Sequence, residues 1–331
     1  MSHHPMPWQE AIWSRLCERQ AQDRLPHALL FTGPDGVGKR ALAMAFIQAT
    51  LCDRARGANP ACGQCNPCRQ VLAGSHPDLR IVEPDEEGKT FTLKVDQIRE
   101  LVRFMVLKSQ YGGSRFALID PADAMNENAA IALLKTLEEP GPDSVLILLS
   151  ALPGKLPATI RSRCQAVAFP VPEAGLVLPW LRQRSDDLGE QEVELALALA
   201  AGAPVRALRM IHPEFRETRR ILFTAWLGLV QGRGGVVSAA ALWAEQDGQK
   251  VLPWLIGWIQ DLMRLCADSR ANVCNVDLRD TLFALSRILD FKDIAGLLDE
   301  AEQALKRTGG SLNLALLYED LFTSWNGLGR P

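Results

Sequence analysis

The chain has 331 residues, of which 47% are apolar and 23% charged, the balance of an ordinary soluble globular protein long enough for two or three domains. A formal net charge of −3 excludes a global basic field that would draw the whole chain onto nucleic acid. No run approaches the roughly 20 apolar residues needed to span a bilayer, so no membrane-spanning helix is expected in it.

Aromatic residues are only 6%, and Leu and Ala dominate the apolar positions, a lean towards helix. The opening "MSHHPMPWQEAIW" has neither a basic start nor a continuous apolar segment, so no secretory signal is expected. Eight unevenly placed cysteines argue against a disulfide scaffold and for a reducing cytoplasm.

In chain order, "HALLFT" predicts a short buried strand that runs into the glycine-rich "GPDGVGKR", after which "KRALAMAFIQATLC" continues as a helix. "LRIVEP" predicts a second strand and "KVDQIRELVRFMVLK" an amphipathic helix. Strand "RFALID", helix "ADAMNENAAIALLKTLEEP", strand "VLILLS", helix "LPATIRSRC" and strand "QAVAFP" follow. Short apolar strands separated by helices describe a parallel α/β sheet covered on both faces. From Pro170 the texture changes. "PVPEAGLVLPWL" reads as a proline-rich hinge, and everything after it reads as helix. The expected division is 1–169 for the α/β domain, 170–209 for a small helical lid, and 210–331 for an all-α C-terminal domain. Trp254 and Trp258, spaced i, i+4, are expected to pack within that last core.

"GPDGVGKR" meets the phosphate-loop pattern G-x-x-x-x-G-K-[ST] through Lys39 and departs from it at Arg40. Gly33, Gly36 and Gly38 let backbone N–H groups face an anion, and Lys39 can reach a β- or γ-phosphate. Position 40 normally carries the hydroxyl that holds Mg²⁺; arginine cannot do so. The loop is therefore read as nucleotide-binding in ancestry, with ATP binding today left open. Asp120, ending "RFALID", is the expected second acid of such a site, at a neighbouring strand's end. The usual glutamate after it is replaced by Pro121, and Asp123 lies three positions on. Both departures point away from hydrolysis in cis.

Cys52, Cys62, Cys65 and Cys68 are spaced C-x9-C-x2-C-x2-C. Thiolates at x2 spacing in tight turns can share a tetrahedral Zn²⁺, and an all-thiolate set favours a structural role. Free cysteines or a redox pair are the competing readings. Arg54, Arg56 and Arg69 beside them also allow a nucleic-acid-binding zinc element, although no aromatics interleave for base stacking.

"NAAIALLKTLEEP", the cysteine module, "LPATIRSRC" and the order of all the pieces resemble the clamp-loader ATPases of bacterial DNA polymerase III, within the AAA+ class. The departed phosphate loop together with "GSHPDLRIVEP" is most similar to their delta-prime type. The resemblance is detailed over residues 25–170 and architectural beyond.

It implies that Ser162, Arg163 and Cys164 fall on the family's SRC motif, whose arginine reaches the ATP of the adjacent subunit as a finger in trans. The competing reading of Arg163 is a surface salt bridge. Ser150 falls where the family has a polar sensor of the γ-phosphate. The family's second sensor arginine falls on Val205, with Arg206 one residue late. The implied cofactor is a structural Zn²⁺. The implied partners are the gamma/tau ATPase subunits and delta, with the sliding clamp and primer–template DNA inside the assembly, and no membrane. In that family the C-terminal helices form an oligomerisation collar. An ATP-hydrolysing subunit acting in cis is the alternative.

Overall fold

A computed structural model of the chain describes residues 4–55, 59–84, 92–185, 188–308 and 313–328. Arg56 lies outside these described residues. The chain divides into two compact units, one of residues 1–180 with 203–206, the other of residues 181–202 with 207–331.

In the first unit, helix α1 (Glu10–Ala21) precedes strand β1 (Ala28–Thr32), helices α2 (Lys39–Leu51) and α3 (Asn66–Leu72), and strand β2 (Leu79–Val82). Helix α4 (Val95–Val106), strand β3 (Arg115–Ile119), helix α5 (Glu127–Glu138), strand β4 (Ser144–Ser150), the single turn α6 (Ala158–Arg161) and strand β5 (Gln165–Ala168) complete it. The strands form one sheet in the order β2-β3-β4-β1-β5, and every pairing is parallel.

The period-2 alternation of β1, β3 and β4 feeds two separate cores, as a two-sided parallel sheet requires. Leu29, Phe31, Phe116, Leu118, Ile147 and Leu149 face one cluster, with α2 and its Phe46. Ala28, Leu30, Ala117, Ile119, Leu146 and Leu148 face the other, with Ile98 and Leu101 of α4 and Leu133 of α5. All five expected strands are present, and both faces are covered. The expected helix "LPATIRSRC" is shorter than its string, one turn only.

The proline-rich stretch is not purely a hinge. From Ala174 it folds into α7 (Ala174–Arg182), with Pro179 inside the helix. Proline at that depth forfeits one intrahelical hydrogen bond. Burial of Val177, Trp180 and Leu181 offsets the loss, and Trp180 meets Trp8 edge-on at 5.1 Å between ring centroids.

The second unit is all helix among its described residues: α8 (Glu190–Leu199), α9 (Pro204–Ile211, whose first turn belongs to the first unit), α10 (Pro213–Val230), α11 (Val236–Ala244), α12 (Gly248–Ala267), α13 (Arg279–Ser286), α14 (Phe291–Arg307) and α15 (Leu314–Thr323). Trp226, Trp243, Trp258 and Trp325 are fully buried at its centre. Trp258 is core, as the spacing predicts. Trp254 sits at the core's edge against Phe215, 4.6 Å between centroids. Among the described residues no helix is long and apolar enough to cross a membrane.

Candidate functional site

The carboxyl ends of parallel strands are where α/β sheets gather their chemistry. Here Gly33 follows β1, Asp120 follows β3 and Ser150 ends β4, so the topology brings the expected residues to one edge. The register Val82↔Ile119 adds one that sequence reading missed: it sets Glu83 beside Asp120. Glu83 is visible in "LRIVEP" as a strand-end acid, but its relevance depends on β2 pairing with β3.

The loop's shape depends on its glycines. At Gly33, φ is +150° and a Cβ would lie 2.1 Å from the Phe169 carbonyl oxygen. At Gly38, which caps α2 in the left-handed region at φ +95°, a Cβ would lie 2.7 Å from Gln9 Nε2. Neither position admits a side chain. The loop carbonyls are held from outside: Trp8 Nε1 donates to Val37 O at 3.0 Å, Gln9 Nε2 to Gly38 O at 2.8 Å, and Val205 N to Gly36 O at 2.8 Å. Val205, where the second sensor arginine falls in the family, thus supplies a backbone donor to the loop, while the Arg206 Cβ packs beside Gly36.

Lys39 is turned back onto its own loop. Its Nζ donates to Gly33 O at 2.6 Å and to Pro34 O at 2.8 Å. Burial holds its pKa below the usual lysine range, against the pull of Asp35, Asp120 and Asp123. Arg40 donates from Nη1 to Asp120 Oδ2 at 2.8 Å and pairs with Glu83. Burial works against its charge, but the hydrogen bonds to Asp120 and Glu83 outweigh it and raise the guanidinium's pKa further. Burial also raises Asp120, with Arg40 opposing the shift. A magnesium ion does not fit this donor set: position 40 offers no hydroxyl, and Asp120 already accepts from a fixed cation.

Asp123 Oδ1 accepts from Ala151 N at 3.1 Å and ties the short turn after β3 to the end of β4. Ser150 is fully buried, and its Oγ has no hydrogen-bond partner among the described residues.

The SRC tripeptide stands away from the loop's ion pairs, after α6. Cys164 is buried in the core shared with α4 and α5, and burial pushes its thiol up to about 11, so it stays neutral packing. Ser162 Oγ donates to Thr159 O at 3.2 Å. Arg163 Nη1 donates to the same carbonyl at 3.0 Å, and its Nη2 lies 2.6 Å from Glu138 Oε1 at the end of α5. The Arg163 side chain is 36% exposed, partly open to solvent.

The four cysteines converge. Cys52 caps the end of α2, Cys65 caps the start of α3, and all four Sγ atoms lie within 4.8 Å of one another. Such a set can hold a metal ion. Backbone N–H groups already point at the sulfurs, Cys62 N to Cys52 Sγ at 3.5 Å and Cys65 N to Cys62 Sγ at 3.4 Å. Donors from Gln64 and Cys65 bring the Cys62 thiol down to about 6.

The family model described as "DNA polymerase III, delta subunit" matches residues 8–173, and "DNA polymerase III, delta subunit, C terminal" matches residues 213–327. The DNA polymerase III subunit delta' of Pseudomonas aeruginosa is 36% identical over 332 residues, covering 98% of each chain. The chain belongs to the DNA polymerase III delta' family. Its Escherichia coli relative of the same name is 31% identical over 95% of this chain and 93% of that one. The "DNA polymerase III subunit tau/gamma" of Haemophilus influenzae is 40% identical over 157 residues, 47% of this chain and 22% of its own length.

Proposed function

We propose that the chain is the non-hydrolysing delta-prime subunit of a replicative clamp loader, and that it donates Arg163 in trans to ATP held by a neighbouring subunit. The observation that carries this is the contrast between its two cationic sites. Arg40 is paired with both acids at the strand ends beside the loop, Asp120 and Glu83, whereas Arg163 lies on the turn after α6, has Glu138 as its one carboxylate partner among the described residues and keeps a partly exposed side chain. The first arrangement leaves no place for the metal that phosphoryl transfer needs. The second is a charge placed where it can neutralise negative charge developing on another molecule's phosphate.

The partners follow from the family: tau/gamma-type ATPase subunits on the side that receives Arg163, delta in the same ring, and clamp and primed DNA inside the assembly. Residues 170–209 act as the lid and residues 210–331 as the collar. The Trp-rich helical core of the second unit suits a stiff oligomerisation element. The ring's motion then comes from its partners' ATP cycles, and this chain supplies a fixed wall.

The metal is zinc in a structural role. A tetrahedral zinc–thiolate centre has Zn–S bonds near 2.3 Å and therefore sulfurs about 3.8 Å apart. Cys52 and Cys65 Sγ stand 3.8 Å apart, and Cys62 and Cys68 Sγ 4.0 Å. Bound there, zinc would cross-link the end of α2 to the start of α3.

The test is Arg163→Ala in a reconstituted loader. The variant should fold and assemble, and ATP turnover at the site it borders should fall by a large part of the roughly 10³ to 10⁵ that a finger contributes. Unchanged turnover removes the trans role.

A further inference from the structure

Arg163 does not stand free. Glu138 Oε1 is 2.6 Å from its Nη2, and the Thr159 carbonyl takes its Nη1 at 3.0 Å. Nη1 thus donates to the chain itself and Nη2 is ion-paired with it, and with five N–H donors on the guanidinium, donors remain for an outside anion.

Both anchors sit on rigid backbone. Glu138 ends α5, whose first turn is capped by Asn126 Oδ1 accepting from Ala129 N at 2.8 Å and whose Leu133, Thr136 and Leu137 are buried. Arg163 is flanked by Ile160 and Cys164, both buried.

The Glu138–Arg163 pair itself is half-exposed, 52% and 36%. Exposed pairs of this kind add about 1 kcal/mol or less to stability, so holding the fold together is not what this one accomplishes. What it does accomplish is to restrict a long side chain to one pose before any ligand arrives.

We propose that Glu138 is a positioning residue for Arg163: it holds the guanidinium in the pose from which the open N–H groups meet a phosphoryl group of a neighbour's nucleotide. This rests on the trans reading of Arg163. The carboxylate also has a rival effect, since its charge competes with the phosphate for the same guanidinium. The two effects have opposite signs in turnover. Preorganisation is the larger effect here, because the contact leaves the outer donors uncommitted while removing most of the side chain's freedom.

The test uses the assembled loader with four versions of this chain: unmodified, Glu138→Ala, Glu138→Gln and Arg163→Ala, reading kcat and KM for ATP. Glu138→Ala should lower kcat by about tenfold, inside the 10²-fold that misplacing a reacting group can cost, with KM unchanged. Glu138→Gln keeps an acceptor oxygen and should recover most of that rate, which a purely charge-based role would not allow. The melting temperature of each free chain checks that folding is not the cause. If Arg163→Ala slows turnover while Glu138→Ala leaves it unchanged or raises it, the positioning role is overturned and the finger stands. If Arg163→Ala has no effect, both fall.

Discussion

Arg40 Nη1 lies 2.8 Å from Asp120 Oδ2, so the strand-end carboxylate that would face a metal faces a side chain of the same chain instead. The cation is tethered, cannot exchange, and is shared with Glu83. Magnesium should therefore add nothing to whatever nucleotide affinity the free chain has. Arg40→Thr restores the hydroxyl of the loop pattern and frees Asp120. It should make nucleotide retention magnesium-dependent, measured by equilibrium binding of a fluorescent ATP analogue with and without the metal. Equal magnesium dependence in both chains would contradict the role given to Arg40.

The cysteine centre predicts one zinc per chain by elemental analysis. Cys65→Ser should lose the metal and soften the α2–α3 connection by several kcal/mol, because metal binding and local folding are the same event. Differential scanning calorimetry of chelated and loaded protein checks this. Identical melting curves would rule out a structural metal.

Asp78 and Arg115 form a buried ion pair at 2.9 Å, with the carboxylate also accepting from Ser109 Oγ and from the backbone of Gln110 and Tyr111. Burial alone would raise the Asp78 pKa, but these donors and Arg115 outweigh it, so the carboxyl sits below its usual range. A carboxyl depressed on folding contributes stability that is complete above its unfolded pKa of about 3.9 and is lost as pH falls through the lower folded value. Arg115→Ala leaves that charge buried and unpaired, at a cost of about 3–5 kcal/mol at neutral pH. Because the depression shrinks without Arg115, the variant's deficit should narrow as acid unfolds both proteins. Denaturant titrations at pH 7 and at about pH 3, below the unfolded carboxyl pKa, measure it, and a deficit that grows in acid contradicts this.

Much of the sheet was legible because each strand is a short apolar run next to a recognisable breaker. Strand order was not legible, and with it went Glu83, whose place beside Asp120 exists only because β2 pairs with β3. The cysteine spacing pointed to a shared site, but not to the helix ends that carry it. Val177, Trp180 and Leu181 overrode the breaker signal of Pro179, because buried area outweighs one missing hydrogen bond. At the SRC turn, the ion pair expected as the competing reading of Arg163 is present. It coexists with a partly exposed side chain, so the two readings do not exclude each other.

The central claim is that this chain serves catalysis from its outer turn and not from its own loop. Steady-state phosphate release in magnesium buffer tests it directly, with the purified chain alone and with the chain added to an ATP-competent tau/gamma-type partner. The chain alone should give no release above background, and its stimulation of the partner should disappear with Arg163→Ala. Magnesium-dependent release by the solitary chain, abolished by Lys39→Ala, would contradict it.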